Sequence, residues 1–448
     1  MQGFTYIDLI ILVVYLAAVL FAGLHFAKKE MKGKEYFKGD GTVPWWVTSV
    51  SIFATLLSPI SFLSLAGNSY AGTWIMWFAQ LGMLLAIPIT IKFFLPIYSK
   101  LDIDTAYHYL ELRFGSKGLR VLGAVMFIVY QIGRMSIIMY LPCMVLGSLT
   151  GISVNLLIII MGVIAIIYSY TGGLKSVLWT DFIQGSVLLI GVTFALVFLL
   201  VHLDGGFGAI AHAFTAEHKF LAVDQPIFNA NIFKDSVFIM IVGAGFNTMG
   251  SYVSSQDIVQ RFTTTTDTKK LNKMMLTNGA LSIFIATVFY QQNALPPAAA
   301  QDQIFASYIA FELPVGVTGL LLAAIYAAAQ STLSTGLNSV ASSWTLDIQA
   351  NLSKKELGFE KETKIGQRVS LLVGIFAIVV AMVLANGGVK SAYEWFNGFM
   401  GLVLGILIGT FILGAFTKVA NTFGAVAAFI ASSGVMVYVK YFVPADHV

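Results

Sequence analysis

Long apolar stretches recur along almost the whole chain and are separated by short segments that carry the polar and charged residues. The longest of these connections are 203–235 and 347–366. About 20 apolar residues are enough for one helix to cross a bilayer. The pattern predicts twelve such spans, at residues 5–27, 46–66, 74–98, 120–148, 154–170, 180–202, 236–253, 274–290, 315–346, 367–385, 392–416 and 419–441. We therefore expect an all-α integral membrane protein with a single polytopic domain over residues 1–448.

Two of the predicted spans contain residues that interrupt helices. The second span carries Pro59, and the seventh carries Gly243, Gly245, Asn247 and Gly250. Proline removes a backbone donor and glycine tolerates non-helical backbone. In lipid, such breaks survive only where they are buried in protein or line a wet cavity. Interrupted helices in matching places of two halves are typical of inverted-repeat transporters, and simple packing kinks are the alternative.

The segment "AAAQSTLSTGLNSVASS", residues 327–343, carries far more hydroxyl groups than a membrane helix usually does. Helical spacing predicts that its polar side chains share one face. These residues are Ser331, Ser334, Thr335, Asn338, Ser339 and Ser342. Neutral oxygens are suitable ligands for hard cations, but hydroxyl groups also hold membrane helices together. The stripe alone does not decide between an ion site and helix packing.

Three further polar residues lie within the predicted spans. The span boundaries place Asp181 at the cytoplasmic mouth of the sixth span, where it is either a cation ligand or an exposed N-cap. Arg134 lies midway along span 120–148, and no Asp or Glu is expected at its depth. Its predicted partner is therefore an anionic substrate, unless the arginine caps the carbonyls of a broken helix. Gln80 contacts either a substrate or a neighbouring helix.

The basic residues predict how the chain is oriented. Twenty of the 26 Lys and Arg residues lie in one set of alternate loops, and four lie in the other set. The positive-inside rule places the first set, including 347–366, in the cytoplasm and leaves 203–235 and both termini outside. Because this asymmetry accounts for the net charge of +4, no nucleic-acid partner is predicted. The single cysteine, Cys143, excludes an intrachain disulfide.

Other classes of function have less support in the sequence. The chain has no HExxH motif, no GxSxG motif and no paired carboxylates within the apolar spans, which argues against an intramembrane enzyme. An ion channel is a further alternative. Flux that saturates and depends on an ion gradient would distinguish a carrier from a channel.

Three segments together resemble the sodium/solute symporter family: "SYTGGLKSVLWTDFIQG" (169–185), "SSQDIVQR" (254–261) and "AAAQSTLSTGLNS" (327–339). The resemblance covers nearly the whole chain. It implies a leucine-transporter-type fold with inverted five-helix repeats at 46–202 and 236–416 and extra flanking helices. It also implies a multi-pass protein of the bacterial plasma membrane, surrounded by lipid, that works as a monomer.

Within the family, "FATLLSPISF" and "YQIGRMSII" are most similar to the bacterial sialic acid transporters. The resemblance implies sodium-coupled import of an organic anion, sialic acid, by alternating access. The substrate carboxylate would meet Arg134. The rest of the substrate would contact Ser58, Ser61 and Gln80. Leu56 and Pro59 stand where hydroxyl residues are expected in the sialic acid group, so another polar or anionic solute, such as a monocarboxylate or a sugar, is the alternative.

The same resemblance implies that two sodium ions bind to the chain. The first ion would be held by the hydroxyls of Ser331 and Thr332 and by the carbonyls of Ala54, Leu57 and Ala328. The second ion would be held by Asp181, Ser331, Ser334 and Thr335. On this interpretation, the hydroxyl stripe is a sodium-binding face.

Overall fold

The part of the chain that the computed structural model describes is helical; it comprises residues 4–27, 34–39, 41–61, 66, 72–101, 103–216, 218–230, 236–265, 267–290, 308–309, 311–353, 358–387 and 392–442. The helices of the first half are α1 (Tyr6–Phe26), α2 (Lys34–Lys38), α3 (Trp45–Leu56), α4 (Phe78–Ile89), α5 (Leu95–Leu101), α6 (His108–Phe114), α7 (Lys117–Thr150), α8 (Val154–His202) and α9 (Gly206–Thr215). A 3₁₀ turn precedes α4 at Trp74–Trp77, and a π-helical turn follows it at Thr90–Phe94.

The second half continues in the same way. Its helices are α10 (Val237–Ser254), α11 (Gln256–Phe262), α12 (Thr268–Tyr290), α13 (Val317–Ser342), α14 (Ala350–Leu352), α15 (Phe359–Asn386), α16 (Ala392–Phe416) and α17 (Thr422–Phe442). A π-helical turn, Ser343–Gln349, joins α13 to α14. Seven helices among the described residues are long and apolar enough to cross a bilayer, which agrees with the expected helical membrane architecture.

Every predicted span overlaps a helix, although the count of twelve crossings stays a prediction. The fifth and sixth predicted spans lie within α8, which has 49 residues and would be about 74 Å long if it were straight. Gly173 divides α8, because its φ of 55° and ψ of −161° are not helical. A Cβ at this position would lie 2.6 Å from the carbonyl oxygen of Tyr36. Glycine therefore permits both the unusual backbone and the close approach of α2.

The break expected in the second span is confirmed. Helix α3 ends at Leu56, and Leu57 has extended backbone with φ −81° and ψ 114°. Residues 59–61 are helical again. The interruption falls just before Pro59, as expected from a residue that disfavours helical backbone in the position before it.

The break expected within the seventh span is wrong in its position. Helix α10 is continuous through Gly243–Gly250, and the interruption comes at Ser255, with φ −88° and ψ 117°. Glycine serves close packing here instead: a Cβ at Gly82 of α4 would lie 2.1 Å from the carbonyl oxygen of Ile241 and 2.6 Å from the amide nitrogen of Gly245. The two helices therefore touch through their backbones.

Helix α13 lies at the centre of the fold and carries the hydroxyl stripe. It packs against α1, α7, α8 and α15. All its residues from Leu321 to Ser342 are buried. The short helix α11 contacts α3, α10 and α13. The breaks after α3 and α10 therefore lie close to the stripe.

Candidate functional site

The first group of predicted ion ligands lies where α13 meets the break in α3. The Ser331 hydroxyl donates to the carbonyl oxygens of Ala54 at 2.9 Å and Ala328 at 3.1 Å. The Thr332 hydroxyl donates to Ala328 at 3.0 Å and to Thr55 at 3.4 Å. All five residues are buried. The structure thus gathers neutral oxygens from both helices, with no carboxylate in direct contact among these residues.

Leu57, the remaining member of that group, lies at the break itself. Its amide donates to the carbonyl oxygen of Phe53 at 3.0 Å, which closes the last turn of α3. Leu57 itself has extended backbone, and helical backbone resumes only at residue 59. The carbonyl of Leu57 is therefore outside the regular hydrogen-bond pattern of α3, which leaves it available to an ion.

The second predicted group is centred on Asp181 of α8. Its carboxylate accepts hydrogen bonds from Ser334 at 3.3 Å and Thr335 at 3.1 Å. Ser331 was expected in both groups, but its hydroxyl turns toward Ala54. Only its carbonyl reaches this group, where it accepts from Ser334 at 3.1 Å. In this structure, Ser331 therefore connects the two groups through different atoms.

Asp181 does not lie at an exposed helix end. It is fully buried, because the second segment of α8 begins after Gly173 and carries this residue two turns into the helix, against α3 and α13. Nor is it the only formal charge: Arg261 Nη2 lies 2.6 Å from Asp181 Oδ2. The same nitrogen donates to the Thr335 hydroxyl at 2.5 Å, and Ser51 donates to Asp181 at 2.6 Å.

Sequence reasoning missed Arg261 and Ser51 as members of this group. The predicted spans leave Arg261 in the loop between 236–253 and 274–290, yet its side chain is completely buried and its Nε donates to the Ser51 hydroxyl at 2.8 Å. The available signal was the spacing within "SSQDIVQR", where an acid precedes a base by four residues. Such a pair lies on one face of a helix.

Arg134 has an acidic partner, which corrects the expectation that none lies at its depth. Its Nη1 is 2.6 Å from Asp257 Oδ2, and its Nη2 donates to the Thr55 carbonyl at 2.7 Å. The chain interruption at Ser255 starts α11 beside the middle of α7, so Asp257 is buried there. The capping alternative is also realised, because Thr55 belongs to the last turn of the broken helix. Arg134 Nε has no hydrogen-bond partner among the described residues.

Two adjacent cavities lie beside the break after α3, and Leu56 and Ser61 line both of them. The smaller, about 120 Å³, is lined by Leu56, Ser58, Ser61, Tyr130, Arg134, Ser251, Ser255, Asp257 and Ile258. The larger, about 280 Å³, is lined by Leu56, Leu57, Ser61, Ala79, Gln80, Met83, Ala244, Asn247, Thr248, Ser251 and Ser282. All four predicted substrate contacts therefore line one or both cavities. The polar side chains from α10 and α12, such as Asn247 and Ser282, were not predicted.

The two groups of oxygen ligands and the arginine at the cavities are suitable for different solutes. Hydroxyl and carbonyl oxygens are suitable for a hard monovalent cation, and a carboxylate adds charge to the second group. A buried guanidinium beside a polar cavity is suitable for a carboxylate. Within the described part of the chain, no cluster of His, Cys, Asp and Glu residues has the composition of a transition-metal site.

Comparisons with known proteins agree with this chemistry. The model of the sodium:solute symporter family matches residues 36–432. The sodium/sialic acid symporter SiaT of Proteus mirabilis is 34% identical over 98% of this chain and 91% of its own length. A solved sodium-coupled sialic acid symporter in a substrate-bound outward-open state superimposes with a TM-score of 0.91 and 32% identity, over 98% of this chain and 92% of that one. Mhp1, a nucleobase-cation-symport-1 transporter, shares the fold, with a TM-score of 0.57 at 15% identity over 90% of this chain and 94% of that one.

Proposed function

The chain belongs to the sodium:solute symporter family, and we propose that it imports sialic acid together with two sodium ions. It is a secondary transporter and not an enzyme. Its fold is of the leucine-transporter type. We further propose that 46–202 and 236–416 are its two inverted repeats; the breaks after α3 and α10 support this division.

The observation that carries the substrate proposal is the buried arginine at the polar cavity. Arg134 reaches the smaller cavity next to the break in α3, where the hydroxyls of Ser58 and Ser61 lie 3.4 Å apart. Gln80 extends the polar lining into the larger cavity. A sugar acid offers the matching groups, since its carboxylate suits the guanidinium and its hydroxyls suit the remaining side chains.

The sodium proposal rests on the two groups of oxygen ligands. The first ion would be held by Ala54, Leu57, Ala328, Ser331 and Thr332. The second would be held by Asp181, Ser331, Ser334 and Thr335. Two sodium ions and one monoanion carry a net charge of +1, so a membrane potential would drive transport by about 2.3 kcal/mol per 100 mV. The functional unit would be the monomer.

Uptake into proteoliposomes tests this function. An inward sodium gradient should drive accumulation of radiolabelled N-acetylneuraminate, and an inside-negative potential should accelerate it. Without the gradient, or with choline in place of sodium, accumulation should be at background level. Competition with sugar acids, monocarboxylates and amino acids then defines the substrate. Import of a monocarboxylate is the second candidate function, suggested by apolar Leu56 and Leu57 at the cavity. It replaces import of a sugar acid if monocarboxylates compete and sugar acids do not.

The proposed orientation has both termini outside the cell, and labelling in whole cells tests it. The native Cys143 is fully buried, so background labelling should be low. Val223, which is 80% exposed, and Lys361, which is also exposed, are replaced singly by cysteine. A membrane-impermeant maleimide should label Val223→Cys in intact cells and Lys361→Cys only after permeabilisation. The reverse pattern would overturn the orientation.

A further inference from the structure

Two buried ion pairs meet on the short helix α11. Asp257 pairs with Arg134 at the smaller cavity, and Arg261 pairs with Asp181 beside the hydroxyl stripe, both at 2.6 Å. The side chains of Asp257, Arg261 and Asp181 are fully buried, and Arg134 is 5% exposed. Helix α11 therefore contributes one charged residue to each of the two candidate sites.

The two pairs are also connected to each other. Arg261 Nη1 donates to the backbone carbonyl of Asp257, and the Ser255 hydroxyl donates to the Asp257 carboxylate. Asp257 and Arg261 are four residues apart on one helix, with the acid nearer the N-terminus. This order is the favourable one for a pair of opposite charges at that spacing. The four charged residues form one continuous chain from the cavity to the hydroxyls.

Each solute would compete with one residue of α11. A substrate carboxylate at Arg134 faces repulsion from Asp257, because two carboxylates at one buried guanidinium repel each other strongly in a medium of low dielectric constant. A sodium ion at Asp181 faces the same repulsion from Arg261. Binding either solute alone displaces one member of α11 from its partner and leaves a buried charge without a counter-charge, which is unfavourable.

Binding both solutes removes this penalty. The substrate releases Asp257, the sodium ion releases Arg261, and the two released side chains are already placed to pair with each other. We propose that Asp257 and Arg261 couple substrate binding to binding of the second sodium ion by this exchange of ion-pair partners. The proposal rests on the proposed function, since it takes the cavity as the substrate site and Asp181 as a sodium ligand.

Binding measurements on purified variants test the exchange. The quantity is the ratio of the N-acetylneuraminate dissociation constants in choline and in sodium buffer, which in the wild-type protein should be about tenfold or more, as is typical of coupled sites. In Asp257→Asn no carboxylate is released, so the substrate should bind more tightly in choline than it does to the wild type. The ratio should fall at least threefold, to what the first ion alone contributes. An unchanged ratio overturns the proposal.

A second variant tests the part of the exchange that involves sodium. Arg261→Gln leaves Asp181 without its competing cation, so in the absence of substrate, half-maximal thermal stabilisation should need several-fold less sodium than in the wild type. A structural role for Arg261 predicts a lower melting temperature at every sodium concentration, with no decrease in the sodium concentration that gives half-maximal stabilisation. A sodium concentration that is unchanged or higher contradicts the exchange.

Asp347 supplies the matched control. It is also fully buried and paired with an arginine, with 2.6 Å between its Oδ1 and Arg120 Nε, but it lines neither cavity. Asp347→Asn should lower the melting temperature and leave the affinity ratio at the wild-type value. If Asp347→Asn reduces the ratio as much as Asp257→Asn does, loss of any buried pair explains the result and the proposal is wrong.

The wild-type protein gives a test that does not depend on a variant folding. The C1 amide of N-acetylneuraminate is neutral and would not displace Asp257, so its affinity ratio should be at least threefold smaller than that of the acid. Equal ratios for the acid and the amide overturn the exchange. A wild-type protein that takes up no sugar acid would instead reject the proposed substrate, and the same measurements would then be made with the anion that it does take up.

Discussion

Replacing Arg134 with alanine is expected to abolish sodium-driven uptake of the acidic substrate. Charge-assisted hydrogen bonds contribute about 1.5–3 kcal/mol each. Losing two of them between the guanidinium and the substrate carboxylate therefore weakens affinity on the order of a hundredfold or more. The effect is larger still because Asp257, 2.6 Å from Arg134 in the wild type, would face the cavity without its partner. Uptake in proteoliposomes and equilibrium binding measure the change.

Conservative substitutions separate recognition from structural support. Arg134→Lys keeps the charge but loses the planar fork, so binding should weaken strongly without disappearing. Arg120→Lys is the control, since Arg120 also pairs with a buried aspartate but lies outside both cavities. It should retain wild-type affinity. Near-normal affinity for the acid in Arg134→Ala would show that the arginine only caps the carbonyl of Thr55.

The second large effect concerns sodium. Asp181→Asn should raise the sodium concentration for half-maximal uptake and lower the Hill coefficient from about two toward one, because the second ion loses its only anionic ligand. Ser331→Ala should damage sodium dependence most among the hydroxyl variants, since the Ser331 hydroxyl, which turns toward Ala54 in this structure, is proposed as a ligand of both ions. Thr332→Ala should impair the first ion. Impairment of the second ion alone is expected from Ser334→Ala and Thr335→Ala.

The alternative of helix packing makes a different prediction for the same variants. A hydroxyl at a contact between membrane helices contributes about 0.6 kcal/mol on average, and its loss should leave sodium cooperativity unchanged. Ser339→Ala is the internal control. Ser339 belongs to the same buried stripe and lies four residues beyond Thr335, and among the described residues its hydroxyl donates only to the carbonyl of Gly336, at 3.0 Å. If Ser331→Ala and Asp181→Asn resemble Ser339→Ala in sodium cooperativity and sodium-induced stabilisation, the two-ion proposal is wrong.

The sequence predicted those features of the fold that depend on local backbone chemistry. Pro59 marks the break in α3 because proline constrains the residue before it and cannot donate a hydrogen bond. The glycines of the seventh span gave the wrong position for the second break. Glycine permits a break, but it equally permits two helices to touch, and only the presence of Gly82 opposite Gly245 distinguishes the two uses.

The partners of the buried charges depend on tertiary structure and could not be predicted. Asp257 and Arg261 lie in a polar segment between two apolar spans, and a hydropathy pattern assigns such a segment to a loop. The structure folds this segment inward as α11, where both residues find buried partners. The stripe on α13 was predicted because helical spacing alone places Ser331, Ser334 and Thr335 together.

The backbone contact between α4 and α10 has a consequence for the size of the cavity. Gln80 and Met83 of α4 and Asn247 of α10 line the larger cavity on either side of that contact. Where Gly82 faces Gly245, the two backbones touch directly, and no side chain at that point can change rotamer to let the helices separate. We infer that α4 and α10 move together as one rigid unit, so that this wall of the cavity keeps its shape. The space available to a solute is then adjusted at the opposite wall, where the interrupted end of α3 supplies Ser58 and Ser61.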